Sequence, residues 1–211
     1  GAFILHWDKS QQNLSTFDGR ETAPAKATSE LFFDKNGKVA SWREAVVGGR
    51  SVGVPGVLAA LKMAHEKHGK LAWELLFTDA IKLAEQGFVV SPRLAKLLTL
   101  NMNPGVQLLP SIRDYFFPKG EVVKAGTVLK NPALANVYKS LAKNGTTPFY
   151  KGWIANKIVK AVNNSPIAPG LLSLTDLSSY KPKQRAAVCG PYKEYKVCGM
   201  GPPSSGGIEV I

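Results

Sequence analysis

The stretch Leu14-Ser15-Thr16-Phe17-Asp18-Gly19-Arg20-Glu21-Thr22-Ala23-Pro24, LSTFDGRETAP, is where the chain changes its pattern. Before it, Phe3-Ile4-Leu5-His6-Trp7 reads as a strand and residues 8–13 as a polar turn. Leu14-Ser15-Thr16-Phe17 reads as a second strand, so the chain opens with a β-hairpin. After Pro24 the apolar spacing becomes helical. At the junction an apolar strand runs out into Arg20, set between the carboxylates of Asp18 and Glu21. Gly19 lets the backbone turn closely beside it. A guanidinium presents a planar fork that matches a carboxylate bidentately, and neighbouring acids can orient that fork or take a ligand ammonium. Two readings stand. One is recognition of an amino acid's α-carboxylate and α-amine. The other is a structural ion pair at a strand end, which spacing alone favours.

Downstream, residues 25–33 are expected to form a short helix stopped by Asp34-Lys35-Asn36-Gly37. A loop, SVGVPG at 51–56, feeds a helix with Val57, Leu61, Ala64 and His68 on one face and Gly69 at its end. The next helix spans about 73–85, with Leu75, Leu76, Ala80, Leu83 and Ala84 as its apolar side and Gly87 as C-cap. Ser91-Pro92 and Asn131-Pro132 are N-cap and first-turn pairs that open two more helices, the second running to Lys143. Between them, 103–127 reads as irregular. Residues 148–162 read as one helix with Trp153, Ile154, Ile158 and Val162 toward the core, and 175–180 as a short capped turn. Residues 186–198 read as a second hairpin. Strands stand at both ends, 1–24 and 184–211, with a helical lobe over 25–183, so the class is α+β. Two short hairpins do not make a stable sheet alone. The chain, ending in an apolar IEVI soon after a glycine-rich loop, is therefore expected to be a fragment of a larger protein whose other strands complete the sheet.

Composition narrows the classes. A hydrophobic content of 45% and a charged content of 20% suit a globular protein. The apolar runs are too short to span a membrane, and residues 1–5, without a basic n-region and soon interrupted by His6 and Asp8, are not expected to be a leader. Lys and Arg number 27 against 15 Asp and Glu, a formal charge of +12. The lysines are scattered and no nucleic-acid motif is present, so no nucleic-acid partner is expected; a solvated surface or a missing acidic partner accounts for the excess.

The two cysteines lie in VCGPYKEYKVCG, residues 188–199. With Lys193-Glu194 as a two-residue turn, Tyr192 faces Tyr195 and Cys189 faces Cys198 at a non-hydrogen-bonded site, where side chains come closest. A cross-strand disulfide between Cys189 and Cys198 fits that register and would place the chain in an oxidising compartment; two free thiols side by side are the alternative. Two cysteines and three scattered histidines do not make a zinc site. His65 and His68 read as a solvated pair. The loop Pro202-Pro203-Ser204-Ser205-Gly206-Gly207 offers backbone N–H groups for an anion nest, yet no histidine has the context of a base for its serines, and a structural loop is the simpler reading. The glycines at 48–56 match no phosphate-loop fingerprint.

Taken together, FDGRETAPAKAT, SVGVPGVLAAL, AIKLAEQGFVVS, NGTTPFYKGWIANKIV, LTDLSSYKP and MGPPSSGGI resemble, in order and spacing, the large subunit of γ-glutamyltranspeptidases over nearly the whole chain. The resemblance implies an N-terminal-nucleophile hydrolase fold, an αββα sandwich, and a precursor that cleaves itself. It implies a threonine nucleophile at the start of a small subunit absent from residues 1–211, so no catalytic residue is expected in this chain. The donors would be glutathione and other γ-glutamyl compounds, the acceptors water, amino acids or peptides. No cofactor is implied, and the setting would be periplasmic or secreted. Within the motif, the resemblance makes Arg20 the residue that binds the donor α-carboxylate and Glu21 its support. A related acylase acting on another amide, and a non-catalytic relative that binds γ-glutamyl peptides, remain alternatives.

Overall fold

The computed structural model describes residues 1–34 and 36–211. Its strands are β1 (Phe3–Asp8), β2 (Asn13–Asp18), β3 (Phe88–Val89), β4 (Val128–Leu129), β5 (Lys183–Arg185), β6 (Val188–Tyr192) and β7 (Tyr195–Gly199). Its helices are α1 (Trp42–Val46), α2 (Val57–His68), α3 (Thr78–Gln86), α4 (Pro92–Thr99), α5 (Gly105–Leu108), α6 (Pro110–Phe116), α7 (Pro132–Asn144), α8 (Thr147–Tyr150), α9 (Trp153–Asn163), α10 (Leu174–Ser179) and α11 (Gly206–Glu209). The class is α+β. The chain divides into two units, one of residues 1–23, 54–72 and 179–211, the other of 24–53 and 73–178. Helix α2, expected in the helical lobe, belongs with the strands.

In the first unit, β1 and β2 pair antiparallel from Phe3↔Asp18 to Asp8↔Asn13. Asp8 closes the turn by accepting from the backbone N–H groups of Ser10 and Gln11, at 2.8 and 3.2 Å. The sequence reading missed β5, which pairs with β2 through Thr16↔Arg185, Phe17↔Gln184 and Asp18↔Lys183. The sheet order is β1-β2-β5. Helix α2 packs on the face that carries His6 and Phe17. His68 stacks on His6 with ring centroids 4.0 Å apart and meets the edge of Phe17 at 5.8 Å. Phe17 is fully buried, which contributes about 2–3 kcal/mol.

The inward face of α2 differs from the expected stripe. Ala60 is buried, whereas Val57 and Leu61 are exposed. Close approach explains the choice: a Cβ on Gly19 would fall 2.6 Å from Ala60 Cβ and 2.9 Å from the Gly56 carbonyl oxygen. Small residues let the helix start meet the strand end, and bulky ones turn away. The second hairpin, β6–β7, has the expected register, with Cys189 opposite Cys198 and Tyr192 opposite Tyr195. Cys189 and Cys198 are joined as a disulfide.

In the second unit, α4 is capped as its sequence demands, Ser91 Oγ accepting from Leu94 N–H at 3.1 Å. Helix α7 is capped the same way by Asn131 Oδ1, at 2.9 Å from Leu134 N. Val90, Leu98, Val123 and Leu129 form a core with Leu94, Tyr115 and Phe116 packed against it. Five expectations are corrected. The helix expected over 73–85 is a 3-10 helix, Trp73–Phe77, followed by α3, and Leu75, Leu76 and Leu83 are exposed. Residues 25–33 form successive turns, Ala27 N–H to Pro24 O, Leu31 N–H to Thr28 O and Phe33 N–H to Glu30 O, because Leu31, Phe32 and Phe33 are bunched rather than spaced along one helix face. Of the stop expected at 34–37, Lys35 lies outside the described residues. The irregular segment 103–127 contains α5 and α6. The helix expected over 148–162 is two, α8 and α9, broken at Gly152, where a Cβ would come 2.8 Å from Pro148 Cα. Trp153 is exposed, not core, and donates through Nε1 to Ser140 Oγ at 3.2 Å. Helix α1 was missed although Ser41 and Glu44 make a full capping box.

Candidate functional site

The end of β2 delivers Asp18 and Arg20 to a small cavity of about 160 Å³ within the first unit. Arg20, Lys181, Lys183 and Arg185 bring positive charge to its wall, against the carboxylates of Asp18 and Glu21. Tyr180 and Pro203 also line it. Two of the cations are paired. Arg185 Nε lies 2.7 Å from Asp18 Oδ2, and Arg20 Nε lies 2.9 Å from Glu21 Oε1. The remaining charge, Lys181 and Lys183, leaves the cavity suited to an anion.

Each residue of the opening motif has a distinct task. Asp18 is buried at 5% exposure, a position a carboxylate occupies only when paired and hydrogen-bonded. Its Oδ1 accepts the backbone N–H of Arg20 at 2.8 Å while Oδ2 takes Arg185. It therefore does not orient the Arg20 guanidinium; it fixes the Arg20 backbone. Glu21 does the orienting. Its own backbone N–H, chiefly, and the Arg20 guanidinium hold the Glu21 carboxyl below the ordinary carboxylate range, so it is ionised at neutral pH. Arg20 has a half-exposed side chain, and among the described residues its ion pair uses Nε. Nη1 and Nη2 make no hydrogen bond to protein among the described residues. Tyr180 donates its phenol O–H to the Arg20 carbonyl oxygen at 2.8 Å. Burial pushes the Tyr180 phenol pKa up, and Asp18 and Glu21 add to the shift, so the phenol keeps its proton for this bond.

The structure thus brings Arg20 and Glu21 together, and with them Arg185 and Tyr180, which the sequence did not single out. Arg185 sits in an all-polar three-residue strand, Lys-Gln-Arg, that has no apolar alternation to announce it. Tyr180 follows α10, whose start is a box of Ser173 and Asp176: Asp176 Oδ2 accepts Ser173 N–H at 2.9 Å, and Asp176 N–H donates to Ser173 Oγ at 3.1 Å. In the loop at 202–207, Gly207 has a structural reason to be glycine. A Cβ on Gly207 would fall 2.1 Å from the Met200 carbonyl oxygen. His65 Nε2 lies 2.8 Å from the Leu71 carbonyl oxygen, and no set of three metal-ligating side chains occurs among the described residues. Nor is any helix among them long and apolar enough to cross a membrane.

Over residues 1–211 the chain matches the family model described as Gamma-glutamyltranspeptidase. It is 35% identical over 211 residues to a glutathione hydrolase proenzyme of Bacillus subtilis, covering all of this chain and 35% of that protein. It is 35% identical over 214 residues to the glutathione hydrolase proenzyme of Escherichia coli, again along its whole length and over 36% of the relative. The crystal structure of Helicobacter pylori γ-glutamyltranspeptidase superposes with a TM-score of 0.91 at 33% identity, covering the whole chain and 59% of that one. The chain spans about a third of the length of the curated relatives it matches.

Proposed function

This chain belongs to the γ-glutamyltranspeptidase family and carries part of its N-terminal-nucleophile hydrolase fold, and from that premise we propose that it supplies the carboxylate clamp of an enzyme acting on γ-glutamyl amides. The observation that carries the reading is Arg20, paired with Glu21 through Nε, its side chain half exposed and its Nη fork making no hydrogen bond to protein among the described residues, at the wall of a cationic cavity. A fork left free beside an anion-attracting surface is what bidentate binding of an α-carboxylate requires.

In this reading residues 1–211 are part of a large subunit. The remainder of the precursor provides a small subunit that begins, after self-cleavage, with a threonine. Its hydroxyl oxygen bonds to the γ-carbonyl carbon of glutathione or another γ-glutamyl compound, and the free α-amine of the same residue takes the hydroxyl proton. The amide C–N bond breaks and the amine leaves with that proton. Water or an acceptor amino acid or peptide then attacks the γ-glutamyl ester and releases the threonine. Arg20 and Glu21 fix the donor's α-carbon end so that its γ-carbonyl meets the nucleophile. The mechanism as stated requires no cofactor. The Cys189–Cys198 bond supports a periplasmic or secreted setting.

The test is release of p-nitroaniline from γ-glutamyl-p-nitroanilide by the complete protein, with and without a dipeptide acceptor. Release stimulated by acceptor is expected. Processed protein that releases nothing would point to an acylase acting on another amide. Unprocessed protein that releases nothing would point to a non-catalytic relative.

A further inference from the structure

Arg20 is gripped by its backbone on both sides. Tyr180 donates to its carbonyl oxygen at 2.8 Å, and Asp18 accepts its amide N–H at 2.8 Å. Asp18 is itself anchored by Arg185. The phenol has little room to be anywhere else, since a Cβ on Gly56 would fall 2.0 Å from the Tyr180 oxygen and 2.4 Å from the Gly19 carbonyl oxygen. Tyr180 therefore rests on the glycine at the start of α2 while its hydroxyl points at Arg20.

The side chain of Arg20, by contrast, is half exposed and has one anchor, at Nε. An arginine side chain carries much rotamer freedom. The place where a long side chain leaves the backbone therefore decides where its fork ends up. We propose that Tyr180 is a positioning residue for donor recognition: by holding the Arg20 carbonyl it sets the guanidinium fork at the distance and angle a bidentate α-carboxylate needs. This rests on the reading of Arg20 as the carboxylate clamp. Through its hydrogen bond to the Arg20 carbonyl Tyr180 acts on main chain, which is a positioning role.

A positioning role and a merely structural one differ in what they spare. If Tyr180 acts through Arg20, its loss penalises only donors that carry an α-carboxylate. The experiment uses the complete, processed protein and two donors, γ-glutamyl-p-nitroanilide and 4-aminobutyryl-p-nitroanilide, which lacks that carboxylate alone. Tyr180→Phe deletes one oxygen and keeps the ring. It should lower kcat/KM for the γ-glutamyl donor by about threefold to tenfold, as loss of one hydrogen bond implies, through KM with kcat retained. The 4-aminobutyryl donor should be handled as well as before. Equal losses on both donors, or none on the γ-glutamyl donor, overturn the proposal.

A double-mutant cycle gives a second readout. In an Arg20→Lys background Tyr180→Phe should add little, whereas a full additive loss means that Tyr180 does not act through Arg20. The two readings fail separately. A normal donor KM in Arg20→Lys alone removes the clamp itself. An impaired Arg20→Lys beside a normal Tyr180→Phe removes only the positioning role.

Discussion

At the scale of single residues, charge and hydrogen bonding divide the labour. Arg20 keeps its fork free because Glu21 holds it by Nε and Asp18 is spent on Arg185 and the backbone. Arg20→Lys should raise the donor KM about tenfold or more in the complete protein, because an ammonium cannot reproduce two parallel charge-assisted bonds; steady-state kinetics with γ-glutamyl-p-nitroanilide measures it, and an unchanged KM would remove Arg20 from the site. Asp176 shows the opposite use of a carboxylate. Burial works to raise its pKa, but hydrogen bonds from Ser173 and from the Ala25 N–H outweigh burial and hold it below the ordinary value. A depressed carboxylate contributes stability above its unfolded pKa and loses it as pH falls through the folded one. Asp176→Ala should therefore cost about 1–3 kcal/mol near neutrality, and the gap to wild type should narrow below about pH 4. Unfolding midpoints measured across pH for both proteins check this; a gap that stays constant into acid would mean that the ionised carboxylate is not what holds α10 to residue 25.

At the scale of elements, the second hairpin is the sharpest case. Its register follows from the two-residue turn, and that register alone sets Cys189 opposite Cys198. Titration of the unfolded protein without reductant should find no free thiol, and reduction should release both; two thiols before reduction would leave the strands joined by backbone bonds only. The hairpin was legible because its information is local, as was that of the caps at Ser91 and Asn131 and the C-terminal glycines at Gly69 and Gly87, which sit beside the groups they satisfy. What the sequence hid depends on distant neighbours. The inward face of α2 is set by the close approach of Gly19 to Ala60, not by its own apolar stripe. Strand β5 exists because β2 offers it an edge, and its three polar residues give no periodic signal. For the site the same division holds. Arg20 and Glu21 stand in one motif and could be proposed from it, whereas Arg185 and Tyr180 reach the site from more than 150 positions away. The split between α8 and α9 and the turns at 25–33 show a third limit, in which favourable local propensity gives way to backbone contacts at Gly152 and to bunched apolar side chains.

At the scale of the whole molecule, the face of the β1-β2-β5 sheet opposite α2 is covered unevenly: Thr16 and Asp18 on β2 are buried, while the β1 side is open. Side chains alternate across a strand, so α2 takes His6 and Phe17 while Leu5 and Trp7 point to the other face, where they are 43% and 54% exposed. Two large apolar side chains side by side on an open sheet are costly in water and mark a surface that something packs against. The chain spans about a third of the length of its curated relatives, and a sheet packed on a second sheet is the arrangement that an αββα sandwich provides. We therefore expect the rest of the protein to bury Trp7. The indole emission lost on Trp7→Phe in the complete protein should be that of a buried ring, blue-shifted and poorly quenched by acrylamide. A red-shifted contribution that acrylamide quenches fully would leave this face in solvent, and the sheet would then have to be completed at its edges instead.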